Sequence, residues 1–342
     1  MHSGIDYIVG LIVCNGKRTC TNISKATNSS HDRIHRLLCK TEKCSWMSWA
    51  LSRIARLLYD GSKRSVFIID DTCLNKIFSR CIEGVFDLYN HATGRTERGL
   101  SIVILAWSNG VITIPISMRF WFSKQLIGEA HYKTKQELAR DLLKACIGLV
   151  PYEAVVMDGL YCDRCMIAFC CEHQIRFETK IARNRVVTTP DGTSAQIQKH
   201  SKLRLRRNER CRTVEISWQG MTLFITIIKR YKNGESTLLY IVSNFKEDPK
   251  KHAALYGIRW NIETLIRTSK QSLGLQDCLS RKIDRQEYHI YHVFLAYALL
   301  NYQRSLTHVR NPEAVARDLR SLKIDHAINQ ISSLGKIIHA NA

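Results

Sequence analysis

Residues 99–122, GLSIVILAWSNGVITIPISMRFWF, hold two apolar runs hinged on Ser108-Asn109-Gly110, which is the signal of a β-hairpin. Strands this apolar must be covered by other elements, so the neighbouring segments decide the fold. Upstream, SVFIID (65–70) is a β-branched, almost uncharged run that ends in acids. Downstream, KTKQELARDLLKACIGL (133–149) has helical periodicity, with Leu138, Leu142, Leu143 and Cys146 on one side. YEAVVMDG (152–159) is a buried-strand pattern ending at Asp158; the helical YCDRCMIAFCCEHQ (161–174) and a further strand, IRFETKIA (175–182), follow. Strand, hairpin, helix, strand, helix, strand predicts a mixed α/β layer sheet.

The flanks differ. Residues 1–60 read as helical, and SWMSWALSRIARLLYD places Trp46, Trp49, Leu51, Ile54, Leu57 and Leu58 near one face. Residues 21–38 form two short helical stretches broken at Asn28-Ser29-Ser30, which suits a helix-turn-helix DNA reader or an ordinary helical hairpin. From 183 the pattern becomes all-β: VEISWQG, MTLFITIIK and STLLYIVSN are separated by Gln219-Gly220 and Asn233-Gly234. Two long helical segments, 250–273 and 286–306, close the chain before a polar tail. The division expected is an N-terminal helical domain (1–60), the first part of the core (61–182), a β-rich insertion (183–245), the closing helices of the core (246–310) and a C-terminal tail (311–342).

Fifty-one Lys and Arg against thirty Asp and Glu leave a net charge of +21 over 342 residues. That imbalance repels other copies of the chain and attracts polyanions, which makes nucleic acid the first partner to consider. Thirteen cysteines in a long chain, an odd number, read as reduced thiols of a cytosol and not as a disulfide framework. The apolar opening IDYIVGLIVC (5–14) is too short to span a bilayer, so no membrane partner is expected. Cys162 and Cys165 have a zinc-like spacing, with Cys170, Cys171 and His173 close behind. They fall within one helical stretch, where a face of buried free thiols packed on the sheet is the preferred reading.

Asp70 and Asp158 end two separate strands, the edge at which α/β sheets gather ligands. Either acid alone is as well explained as a turn former or cap. Together they can share a divalent cation, because hard oxygen ligands suit magnesium and a bare pair of acids repels. Asp71 ends the same strand as Asp70 and points to the opposite face. In YGIRWNIETLIRTSK, a continuous helix would set Tyr256, Arg259, Glu263, Arg267 and Lys270 within an arc of roughly 80°. Surface i, i+4 pairs would explain the charges but not the tyrosine; an acid on a metal, framed by cations that clamp a phosphate backbone, explains every member.

Tyr256, Arg259, Glu263 and Lys270 stand in the order and spacing of the YREK motif, and here the sequence resembles the DDE transposases of a large group of bacterial and archaeal insertion sequences. IIDDTCLNK resembles that family's first-acid motif, and VVMDGLY, with Tyr161 nearby, its second. The likeness extends over about residues 65–305. It implies a ribonuclease H-like core with a β-rich insertion between the second Asp and the Glu. It also implies a catalytic and metal-binding triad of Asp70, Asp158 and Glu263, since the family's Asp-x-Thr spacing selects Asp70; Asp71 is then an outward or capping residue.

Two Mg2+ or Mn2+ ions would be held there, bridged by Asp70, for cleavage at the element's ends and attack of the freed 3′-hydroxyl on target DNA. Tyr256, Arg259, Arg267 and Lys270 would hold the phosphate strand. DNA is thus the implied partner, with at least a dimer needed to join two ends, in a bacterial or archaeal cytoplasm. In the insertion, Lys199, Lys202, Arg204, Arg206, Arg207, Arg210 and Arg212 are answered by Glu209 alone, which predicts a phosphate-tracking strip. Trp218 is either a core residue or, as in some relatives, a stacking platform for a flipped base. A catalytically inactive or domesticated DNA-binding derivative, or a related metal-dependent nuclease, is the alternative reading.

Overall fold

In the computed structural model, residues 2–39, 44–90, 94–232 and 234–340 are described. Four helices lead: α1 (His2–Val13), α2 (Cys20–Ala26), α3 (His31–Leu38) and α4 (Ser45–Leu57). The oxygens of Thr19 and Ser30 cap α2 and α3 by accepting the N–H groups of Asn22 and Arg33. The chain then enters β1 (Val66–Asn75), β2 (Phe86–Asn90), β3 (Arg95–Ser108) and β4 (Thr113–Trp121). The β3–β4 reversal is the expected hairpin: Asn109 Oδ1 accepts the N–H groups of Val111 and Ile112, and Gly110 takes the positive φ (84°) the turn requires.

After the short α5 (Lys124–Ile127), α6 (Lys135–Cys146) starts in a capping box between Thr134 and Glu137. It buries Leu138, Ala139, Leu142, Leu143 and Cys146 against β3 and β4, the face its periodicity predicts. Next come β5 (Ala154–Met157), α7 (Arg164–Glu172) and β6 (Phe177–Lys180). β1 pairs antiparallel with β3 and parallel with β5, β5 pairs parallel with β6, and β4 lies outside β3. The order β4-β3-β1-β5-β6 is a ribonuclease H-like mixed sheet. β5 is buried along its whole length, as a parallel strand covered on both faces must be.

Strands β7 (Val186–Thr188), β8 (Ser194–Gln196), β9 (Cys211–Trp218), β10 (Met221–Lys232) and β11 (Glu235–Ser243) follow. They continue the same sheet, because β11 pairs with β6 and the order runs on as β11-β10-β9-β7-β8. Of the turn expected at Asn233-Gly234, Asn233 lies outside the described residues; Gly234 has φ 82°. The helices α8 (Pro249–Gly257), α9 (Trp260–Ser272), α10 (Ile283–Thr307), α11 (Pro312–Ser321) and α12 (Ile324–Ala340) complete the chain. Packing of α4 on β4 and α10, and of α1 on α10, α11 and α12, puts the leading helices and the sheet in one apolar core.

Four expectations are corrected. β1 does not end at its acids but runs to Asn75, since β3 pairs with it down to Asn75↔Gly99 and Thr72 and Leu74 are buried. The helical segment 250–273 is two helices: Ile258, Arg259, Asn261 and Ile262 make i→i−3 bonds, a tightened turn just after Gly257. The polar tail is helical, with Val315, Ala316 and Leu319 of α11 and Ala327, Ile331 and Leu334 of α12 buried. The cysteines around α7 do not share one face: Asp163 caps the helix, so Cys162 precedes it and is buried, while Cys165 is exposed. Among the described residues no helix is long and apolar enough to cross a membrane.

Candidate active site

The parallel pairing of β1 with β5 ends at Ile69↔Met157, so Asp70 and Asp158 are the residues that directly follow it on the two neighbouring chain segments. Asp70 stays in the sheet opposite Ile104, and its Oδ1 accepts the N–H of Asp71 at 2.9 Å. Asp158 leaves the sheet; its carbonyl accepts the Tyr161 N–H and the Thr179 hydroxyl, both at 3.0 Å. Its carboxylate makes no hydrogen bond among the described residues.

Glu263 arrives from α9. The tightened turn before that helix aims Arg259 back at the sheet, where Nη1 donates to Asp70 Oδ2 (3.0 Å) and Nη2 to Glu263 Oε1 (2.9 Å). One guanidinium therefore clasps two of the expected acids, with its side chain only 10% exposed. Its plane lies near the rings of Tyr256 and Trp260, at 6.0 and 5.5 Å. Tyr256 itself is buried with Leu239 and Ile241 of β11, so it packs as well as lines the site. At the far end of α9, Lys270 Nζ donates to the Cys73 carbonyl of β1 at 2.7 Å. Arg267 is exposed and reaches Thr264 Oγ1.

Asp71 is neither outward nor a cap. Its carboxylate receives Lys135 Nζ at 2.6 Å and the Tyr161 hydroxyl at 3.4 Å, joining β1 to the start of α6. The reason is the strand's alternation: the face opposite Asp70 is covered by α6, where an unpaired carboxylate would be costly. Lys135 also lies 5.1 Å from the centre of the Trp121 ring.

The electrostatics follow from burial. Desolvation pushes Asp70 up from the usual carboxylate range to about 7; Asp71 and Asp158 add to the rise, while the Asp71 N–H and Arg259 oppose it. Burial alone would lower Arg259, but Tyr256, Asp70, Asp158 and Glu263 together hold it above its ordinary value. Burial raises Tyr256 to about 12 and lowers Lys270. The site thus has an excess of negative charge even with a guanidinium inside it, and its donors are hard oxygens, the chemistry that suits a divalent cation. Among the described residues no three His, Cys, Asp or Glu side chains stand close enough to hold one ion together. Asp158 offers a carboxylate without a hydrogen bond among the described residues, whereas Asp70 and Glu263 would take an ion only once Arg259 leaves them.

In the insertion, Lys199, Lys202, Arg204, Arg206, Arg207 and Arg210 are exposed, and Arg212 is half-buried with Nη1 on the Arg204 carbonyl. Glu209 is joined as a counter-charge by Asp191, 3.4 Å from Lys202. Trp218 is 4% exposed within the core, so the stacking role considered for it is corrected: the inward alternation of β9 turns its ring away from solvent.

Two features were missed in the sequence. Lys135 sits 64 positions from Asp71, and nothing local marks the pair. The other is a fully buried pair in which His252 Nδ1 lies 2.5 Å from Glu178 Oε1 and His252 Nε2 accepts the Glu247 N–H at 3.1 Å. It ties α8 to β6. A charged Glu inside the strand IRFETKIA was the available signal, since such a group must find a partner.

Among curated proteins none matches the chain. A family model described as DDE superfamily endonuclease matches residues 2–226 of the 342, a span that holds Asp70 and Asp158, each the first residue past the parallel pairing of β1 with β5. The chain belongs to the DDE superfamily endonuclease family.

Proposed function

We propose that this chain is a DNA transposase of the YREK-motif group, which cuts the ends of a mobile element and joins the 3′-hydroxyl to target DNA by two-metal-ion phosphoryl transfer. Its family supports the coarser reading, a metal-dependent nuclease or transposase acting on DNA. The observation that carries the finer one is the clasp of Arg259 on Asp70 and Glu263, with Asp158 directly after the neighbouring strand β5. That contact supports reading the three distant motifs as parts of one acidic site.

Asp70 and Asp158 would hold divalent ions from the sheet and Glu263 from α9. Magnesium or manganese, when bound, supplies charge stabilisation for the attacking and leaving oxygens of an in-line displacement. Arg259, freed from the acids, would join Lys270 and the exposed Arg267 on the phosphate strand. The exposed cations of 199–210 extend that track, and α3, with Arg33 and Arg36 exposed, offers a further DNA-facing helix. Joining two ends would need two such sites, and so a dimer on DNA.

The test is incubation with DNA carrying the element's own ends, with and without magnesium. Joined products with a new 3′ linkage support transposition; hydrolysis alone leaves a nuclease, and binding without cutting an inactive derivative. Exchange of Arg259 for the ion has its own test. Arg259→Gln should bind Mn2+ about tenfold more tightly by calorimetry while losing DNA cleavage, because it removes a cation that competes for the same carboxylates. Unchanged Mn2+ affinity would show that the guanidinium does not occupy the ion's place. For the basic strip, replacing Arg204, Arg206, Arg207 and Arg210 by alanine should reduce the slope of log affinity against log salt by about 3–4. A slope equal to the wild type's would mean that the strip is a solvated face.

A further inference from the structure

Beyond the acids, β1 continues to Asn75, and Lys76 pins the next turn: its buried Nζ donates to the carbonyls of Gln276 (2.8 Å) and Cys278 (2.7 Å). That anchoring leaves the following residues standing in water. Phe78 is 96% exposed and Ile77 50%, and across a groove of about 380 Å³ Leu279 is 72% exposed. An aromatic ring so placed forgoes the burial that puts most Phe inside. The charged neighbours lining the groove are Lys17, Arg80 and Arg281, all exposed. Among the described residues lining the groove the one carboxylate, Asp277, is already engaged by the Arg18 N–H at 2.8 Å.

A bare aromatic face beside three cations matches an unstacked base between two phosphates: the ring supplies a platform and the cations follow the backbone. A net charge of +21 argues for the same polyanion and against a second copy of this chain as the occupant. The groove is also in line with the acids. α9 runs beside β1 from the Arg259–Asp70 contact to the Lys270–Cys73 contact, and just beyond it Gln276 accepts the Asn75 N–H. Five strand residues from Asp70 to Asn75 span about 17 Å. A DNA strand covers that in about five nucleotide steps.

We propose that this groove seats an unpaired nucleotide of the DNA substrate, with Phe78 stacked on its base and Arg80, Arg281 and Lys17 on the flanking phosphates. The inference rests on DNA being the substrate and adds a site for distorted DNA about five nucleotides from the reacting phosphate. The test uses the full chain and two 30-base-pair duplexes, one with 2-aminopurine in a single-base bulge and one with it paired. The wild type should bind the bulged duplex about tenfold more tightly and quench its fluorescence. Phe78→Ser should lose both the preference and the quenching with an unchanged melting temperature, since the ring touches little, and Phe78→Trp should keep both.

Asp158→Asn should keep the preference, because the groove is separate from the acids. Equal affinity of the wild type for the two duplexes, or quenching that survives in Phe78→Ser, would overturn the seat. So would a Phe78→Ser variant that changes only the oligomeric state in sedimentation, which would assign the groove to a second copy. Failure of the wild type to bind either duplex at low salt would instead sink the DNA reading itself.

Discussion

Asp158→Ala should reduce metal-dependent DNA cleavage by about a thousandfold or more while leaving the protein folded. The magnitude follows from the several kcal/mol of charge stabilisation that ions would contribute to phosphoryl transfer if these acids hold them, at 1.36 kcal/mol per tenfold. The fold should survive because the Asp158 carboxylate makes no hydrogen bond among the described residues. Its removal also relieves a like charge that helps to raise Asp70. Gel analysis of cleaved element ends, beside circular dichroism of the variant, separates the two effects. Full activity in the variant, or cutting by the wild type without metal, would remove the proposed mechanism.

The second large effect is on stability. His252→Ala leaves a carboxyl group that is 0% exposed without its imidazole partner, and an unsatisfied buried polar group costs about 1–3 kcal/mol, to which the cavity left by the ring adds. The denaturant midpoint should fall accordingly, with α8 and the Tyr256–Arg259 turn that follows it loosened first. The pair also predicts a pH dependence. Burial pushes Glu178 up from 4.5 to about 7, partly offset by His252 and Arg64, with Glu153 adding to the rise. Phe245 covers the imidazole, and Arg176 and Glu247 flank it.

Between those values the folded state keeps a proton that the unfolded chain has released. This contribution to stability is therefore complete below about pH 4.5, falls as pH rises through about 7, and is flat above. Glu178→Gln, which can still accept from Nδ1, should remove that slope when urea midpoints are measured across the range. A slope that survives in the variant would assign the effect to other groups.

How much was readable beforehand depends on how local each cause is. The β3–β4 hairpin, the apolar face of α6 and the span of α10 were legible because turn chemistry and side-chain period act within a few residues. The break at Ile258-Arg259 was not, because an unbroken 3.6-residue pattern can be written across a turn that tertiary contacts tighten. The continuation of β1 past its acids was equally hidden: partner β3, and not the composition of residues 71–75, keeps that stretch extended.

At the site, the motifs marked Asp70, Asp158, Glu263, Arg259 and Lys270 as candidates, since each carries its own spacing along the chain. What each one touches was another matter. The placing of Asp71 on Lys135, the packing of Trp218 in the core and the clasp of Arg259 on two acids came only with the fold. Periodicity, charge and motif order by themselves determined a mixed α/β core and pointed to a polyanion partner and a set of candidate acids spread over nearly two hundred positions, because those properties add up along the chain. Only the tertiary structure decided that a guanidinium 189 residues from Asp70 lies between the acids, because such a contact depends on a strand and a helix meeting in space.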